Sequence, residues 1–238
     1  MEYRTKEEQV ADFLREGIIA GRFPRGARLK QLEIAKLLQT SITPVREALK
    51  LLAAEGYVVG DSYRGATVAP FDISASNEML NLRILLETQL IRGAVEQATA
   101  ADIEELRAIA ATFERAVADK ENEAARAANY RFHRRIFDIP NMPQTLHFVQ
   151  VLWARYPFDL INKIGGRVGR AVDEHTQLLN AFIEADTASA MLATRRHIEA
   201  GWLELQRAVQ SSQSASRLGA DDEPKVLQSH LSTESSQS

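Results

Sequence analysis

Strand-forming stretches are confined to one short part of this chain. "YVV" (57–59) and "ATV" (66–68) flank "GDSYRG", and from residue 74 onward the apolar spacing is helical throughout. A small mixed module at the N-terminus followed by a wholly helical remainder is the arrangement this permits.

Helices should precede the strands. Residues 6–20 carry Val10, Phe13, Leu14, Gly17 and Ile18 at helical spacing, "FPRG" makes a turn, and Leu32, Ala35 and Leu38 form the expected inner face of a short second helix. In "SITPVREALKLL" (41–52), Thr43 is the expected cap of a third helix, with Pro44 at its first position, where a missing N–H costs nothing. Val45, Ala48, Leu49 and Leu52 share one face of it, leaving Thr43, Arg46, Glu47 and Lys50 on the other. Three short helices and a β-hairpin with Arg64 and Gly65 near its tip have the order of a winged helix-turn-helix, whose third helix enters the major groove. Arg46 suits a guanine edge, and Lys50 and Thr43 suit phosphate oxygens. Taken alone, those side chains fit an ordinary solvated helix face equally well.

Helical stretches follow at 75–98, 102–119, 122–138, 142–162, 168–185 and 188–209, broken by the capping-box spacing of "TAAD" (99–102), the prolines of "IPNMP", the glycines of "IGG" and the cap in "EADTAS". The expected fold class is therefore mainly α: a winged helix-turn-helix over 1–70, an all-α six-to-seven-helix bundle over 71–210, and a polar, serine-rich tail over 211–238 expected to be disordered. Residues 1–70 hold 11 basic and 9 acidic side chains against 18 and 23 in the remainder, a balance that permits nucleic-acid contact without establishing it. The absence of cysteine and of a long apolar run points to the cytoplasm.

Polar residues interrupt the apolar faces of the bundle. Asn129 and His133 share a face with Ala125, Phe132 and Ile136; His175 falls in the series Val168, Ala171, Val172, Leu178, Leu179 and Phe182; His197 lies on a stripe with Ala190, Ala193, Ala200 and Gly201. One inward histidine is usually hydrogen-bonded core. Three from different helices can instead converge on a divalent cation, with Asn129 adding an oxygen one turn before His133.

Two resemblances sharpen these readings. "GRFPRGARL", "TPVREALKLLAAEGYV" and "RGATV" resemble the DNA-binding domain of GntR-family transcription regulators, which implies DNA contacts from Arg46 and from the wing around Arg64 and Gly65. Ile42 stands where the family has an arginine that reads bases, and Gln39 where it has a turn glycine. "RILLETQLIRGA", "NYRFHRRIF", "DEHTQLLNAF" and "ATRRHIEAGW" are similar to the FCD effector domain of the FadR-type subfamily. That resemblance implies a Zn, Ni or Mn ion held by Asn129, His133, His175 and His197, with a small organic acid completing the site. The family's aspartate is Asn129 here, which implies a weaker fourth ligand. Arg83 is the expected partner of the effector carboxylate; the alternative is an i,i+4 pair with Glu87.

The expected function is a ligand-responsive, homodimeric DNA-binding regulator, with repression in the absence of effector. A metal-free effector site is one alternative. Another is a three-histidine hydrolase using Glu174 as base, against which stand the DNA module and the lack of a G-x-S-x-G motif.

Overall fold

The computed structural model describes residues 5–60, 66–70, 76–156, 158–161, 164 and 166–220. Helix α1 (Lys6–Ile19) starts at a reciprocal capping box between Thr5 and Glu8. Strand β1 (Arg28–Leu29) leads to α2 (Gln31–Leu37) and α3 (Ile42–Glu55), which ends at Gly56 with φ 90°, a left-handed C-cap that favours glycine. Strands β2 (Val58–Val59) and β3 (Ala66–Val68) pair antiparallel as expected, and β1 joins them in the order β1-β3-β2, so the sheet has three strands rather than two. Arg64 and Gly65 lie outside the described residues.

Two expectations in this module are corrected. Helix α3 begins at Ile42 with Ser41 as its N-cap, so Thr43 and Pro44 sit inside the first turn; proline is tolerated there because those N–H groups have no intrahelical partner. Leu32 is 55% exposed, and the inner face of α2 is carried instead by Ile34 and Ala35, with Leu38 partly buried beside them. Val45, Ala48, Leu49 and Leu52 are fully buried against α1, as their spacing requires. Gln39 takes the left-handed conformation, φ 50°, that the missing turn glycine would have adopted easily.

The helical part comprises α4 (Ser76–Gln97), α5 (Ala100–Ala118), α6 (Asn122–Asp138), α7 (Pro143–Ala154), α8 (Phe158–Ile161), α9 (Arg167–Ile183) and α10 (Thr187–Ala220). Thr99 and Asp102 form the anticipated capping box of α5. The single stretch expected over 142–162 is divided into α7 and α8. The sequence carries the cause in Pro157, since the residue before a proline is driven out of the helical region. At the C-terminus α10 continues to Ala220, beyond the helical stretch expected over 188–209. Residues 206–220 belong to a separate compact unit. No helix among the described residues is long and apolar enough to cross a membrane.

One core runs from the N-terminal module into the bundle, joining Leu14, Leu49 and Tyr57 to Tyr130, Phe137 and Trp153. Arginines tie the parts together at their edges. Arg25 donates to the carbonyls of Ala69, Ala154 and Tyr156 at 2.9–3.1 Å, closing the exposed end of α7. Arg126 of α6 donates to the carbonyl of Ala20 at the end of α1, and Arg22 pairs with Glu123.

Candidate metal centre

The three histidines that interrupt the apolar faces meet. His133 of α6, His175 of α9 and His197 of α10 each place a ring nitrogen within 4.8 Å of the others. His133 Nε2 and His175 Nε2 are 3.1 Å apart. Phe132 stacks on the His175 ring at 4.4 Å between centroids, and Phe113 covers it at 4.8 Å. Burial, with His197 close by, pushes both His133 and His175 well below the usual imidazole range. Both rings are therefore neutral at pH 7 and keep a lone pair for a cation.

Glu174 orients the third histidine. Its Oε2 lies 2.5 Å from His197 Nδ1 and accepts from Arg167 Nη1 at 2.8 Å. Burial alone would raise the Glu174 carboxyl, but the hydrogen bond from His197 and the charge of Arg167 outweigh it and leave it below the usual carboxylate range. A carboxylate on Nδ1 fixes the tautomer that presents Nε2, the arrangement found behind most metal-bound histidines.

Two of these three donors stand at the spacing that a divalent cation requires. Two nitrogens on one ion at about 2.0–2.1 Å stand roughly 3.0–3.4 Å apart, and the His133–His175 separation falls in that window. Asn129 is one helical turn before His133, and it lines two small cavities beside the cluster, of about 40 and 20 Å³. Arg83 and His197 line the same two cavities. Arg83 also realises its alternative reading: it is buried and pairs with Glu87 at 2.7 Å, while Trp153 Nε1 donates to the same carboxylate at 2.9 Å. The guanidinium lies over the rings of Tyr156 at 4.0 Å and Phe158 at 5.4 Å.

Sequence reading missed three of the residues that frame this site. Arg167 is seven residues before Glu174, two turns along one face of α9, so its spacing held a signal. Arg126 and Tyr156 could be found only from the tertiary structure, because their partners, the Ala20 carbonyl and the Arg83 guanidinium, lie far away in the chain. On the N-terminal module, Thr43 and Lys50 are exposed and Arg46 is half-buried on the outer face of α3; Lys50 also pairs with Glu47 at 2.9 Å. Ile42 is exposed at the start of the same helix.

Comparison with known proteins agrees with both parts of the fold. Residues 6–68 match the gntR family of bacterial regulatory proteins, and residues 78–200, just over half of the chain, match the FCD domain. The chain is 28% identical over 216 residues to the Uxu operon transcriptional regulator of Escherichia coli (strain K12), covering 81% of this chain and 83% of that protein. Over 83 residues, 35% of this chain and 37% of the relative, it is 40% identical to a probable D-xylose utilization operon transcriptional repressor of Paenarthrobacter nicotinovorans. The solved structure of E. coli McbR/YncC shares the fold with a TM-score of 0.73 at 24% identity, over 87% of this chain and 100% of that one.

Proposed function

Because the chain belongs to the GntR family of bacterial regulatory proteins and carries an FCD domain, it is a DNA-binding transcriptional regulator and not an enzyme; we propose that it is a cytoplasmic, homodimeric repressor released from its operator by a small organic acid. The acid would bind at a Zn, Ni or Mn site made by Asn129, His133, His175 and His197, with Arg83 as its partner. The observation that carries this reading is the convergence of the three histidines beside cavities that Arg83 and Asn129 also line. A bound divalent ion would supply a Lewis-acid seat for a carboxylate. The chain's own residues hold two imidazoles neutral, orient the third through Glu174 and keep a guanidinium at the cavity wall.

On the DNA side, residues 1–70 act as the reading module and 71–210 as the effector and dimerisation domain. Arg46 reads a base edge, Thr43 and Lys50 hold phosphates, and Arg64 and Gly65 serve the wing. A single module of this size makes too few contacts for tight specific binding, which favours two copies on two half-sites. The relative named as a repressor of a sugar-utilisation operon supports repression as the resting mode.

Elemental analysis of tag-free protein tests the metal half of this reading. About one Zn, Ni or Mn per chain, lost in His133→Ala and His197→Ala, is the expected result. Protein that stays empty after incubation with each metal contradicts it, and the 3.1 Å contact between His133 and His175 is then a hydrogen bond in a metal-free effector site.

A further inference from the structure

We infer that Arg126 is a second anion contact in the effector cavity and links that cavity directly to the DNA-binding module. The inference rests on the proposal that this cavity is the effector site. Three arginines line the larger cavity: Arg83, Arg126 and Arg167. Two are already neutralised, Arg83 by Glu87 and Arg167 by Glu174. Arg126 has no carboxylate within ion-pair distance among the described residues; its hydrogen bond goes to the carbonyl of Ala20. It stands on α6 seven residues before His133, on the same face of the helix, and it shares the larger cavity with Asn129 and His197.

Its other partner is a functional joint. Ala20 is the C-cap of α1, and the last carbonyls of a helix have no partner of their own and carry the negative end of its dipole. The guanidinium also covers Gly21, whose left-handed backbone (φ 82°) leaves no side chain; a Cβ there would lie 3.5 Å from Arg126 Nη2. Helix α1 in turn packs on α3 and is locked to it by Arg15, which donates to Glu55 at 2.8 and 2.9 Å in a buried pair. A pull on the end of α1 therefore reaches the helix that carries Arg46.

An acid group in the cavity competes with a neutral carbonyl for one guanidinium. Both bonds carry the guanidinium's charge, but the carboxylate adds a full opposite charge where the carbonyl offers only a dipole, so the carboxylate draws Arg126 off Ala20. The α1 joint loosens, and operator affinity falls. Because Asn129 and His197, two of the proposed metal ligands, line the same cavity, a bound ion would provide a second anchor, and the effector class is a small acid with at least two carboxylates.

Two arms test this with metal-loaded protein and an operator selected by the wild type from random-sequence DNA. In the first, Arg126→Gln without effector binds that operator at least about fivefold more weakly than wild type, the lower end of usual coupling, while keeping its metal content and melting temperature within a few degrees. Arg126→Lys, which can still donate to Ala20, recovers part of the loss. Unchanged operator affinity in Arg126→Gln overturns the link. In the second, citrate is titrated against the fluorescence of Trp153, which lines the smaller cavity. Binding about tenfold weaker in Arg126→Gln supports the anion contact; equal binding, or none to wild type, overturns it. Loss of metal in the wild type instead marks a failure of the metal site alone, since the first arm reads DNA affinity without effector.

Discussion

Replacing Glu87 by alanine leaves the Arg83 guanidinium charged, buried and pressed against two aromatic rings. Arg83 and Glu87 are 4% and 2% exposed, and the guanidinium sits 4.0 Å from the Tyr156 ring. Removing one partner of a buried pair costs about 3–5 kcal/mol, and the Trp153 indole N–H loses its acceptor as well, for about 1 kcal/mol more. For a chain of this size each kcal/mol lowers the melting temperature by about 2–4 °C, so Glu87→Ala should melt roughly 10–20 °C below wild type in scanning calorimetry. Buried pairs are often replaceable by apolar residues of similar volume, so the double variant Arg83→Met, Glu87→Leu should recover most of the stability while losing response to the effector. A single variant within about 1 kcal/mol of wild type would show that the pair is not buried as described. A double variant as unstable as the single one would show that the loss comes from packing and not from the stranded charge.

Three further outcomes follow from the geometry. His133 and His175 have their affinity for protons lowered by folding, so below the ordinary histidine value of 6.5 the unfolded chain takes up protons that the folded chain refuses, and stability falls as pH drops; the slope is about 1.4 kcal/mol per pH unit for each histidine, and urea denaturation of His175→Asn between pH 7 and 5 should show it reduced. Lys50→Ala should weaken operator and non-specific DNA alike and cut the salt dependence of binding by about one counterion, whereas Arg46→Ala should cost about 1–3 kcal/mol chiefly on the selected operator; equal effects on both DNAs from Arg46→Ala would refute its role in base reading. Gln39→Gly removes a left-handed non-glycine residue and should raise stability by up to about 1 kcal/mol, visible as a higher urea midpoint, and no change would mean that the turn carries no strain.

The architecture was legible because it is written in local patterns. Helix α6 spans the residues that its spacing assigned, 122–138, and the Thr99–Asp102 box marks the start of α5, since both depend on contacts within a few residues. Short elements were harder. In the seven residues of α2 a one-position shift of the apolar face is nearly invisible, which is why Leu32 was placed inward and Ile34 was overlooked. Two cap formers on either side of Ile42, Ser41 and Thr43, made the start of α3 ambiguous by one half-turn. The inward-facing histidines were readable as polar breaks in apolar faces, but their convergence depends on how α6, α9 and α10 pack, and periodicity carries no information on that. The arginines at the domain joint were harder still, because Arg25 and Arg126 bond to backbone carbonyls more than a hundred residues away, and every residue type offers the same carbonyl.

The central claim is that occupancy of the histidine-lined cavity controls DNA binding. It is tested most directly by measuring operator affinity by fluorescence anisotropy, in wild type and His197→Ala, with and without an acid chosen for its stabilisation of the wild-type protein in a thermal shift screen. The acid should weaken wild-type binding at least about fivefold and leave His197→Ala, bound to the same operator, unresponsive. An equal response in both proteins, or none in the wild type, would contradict the claim.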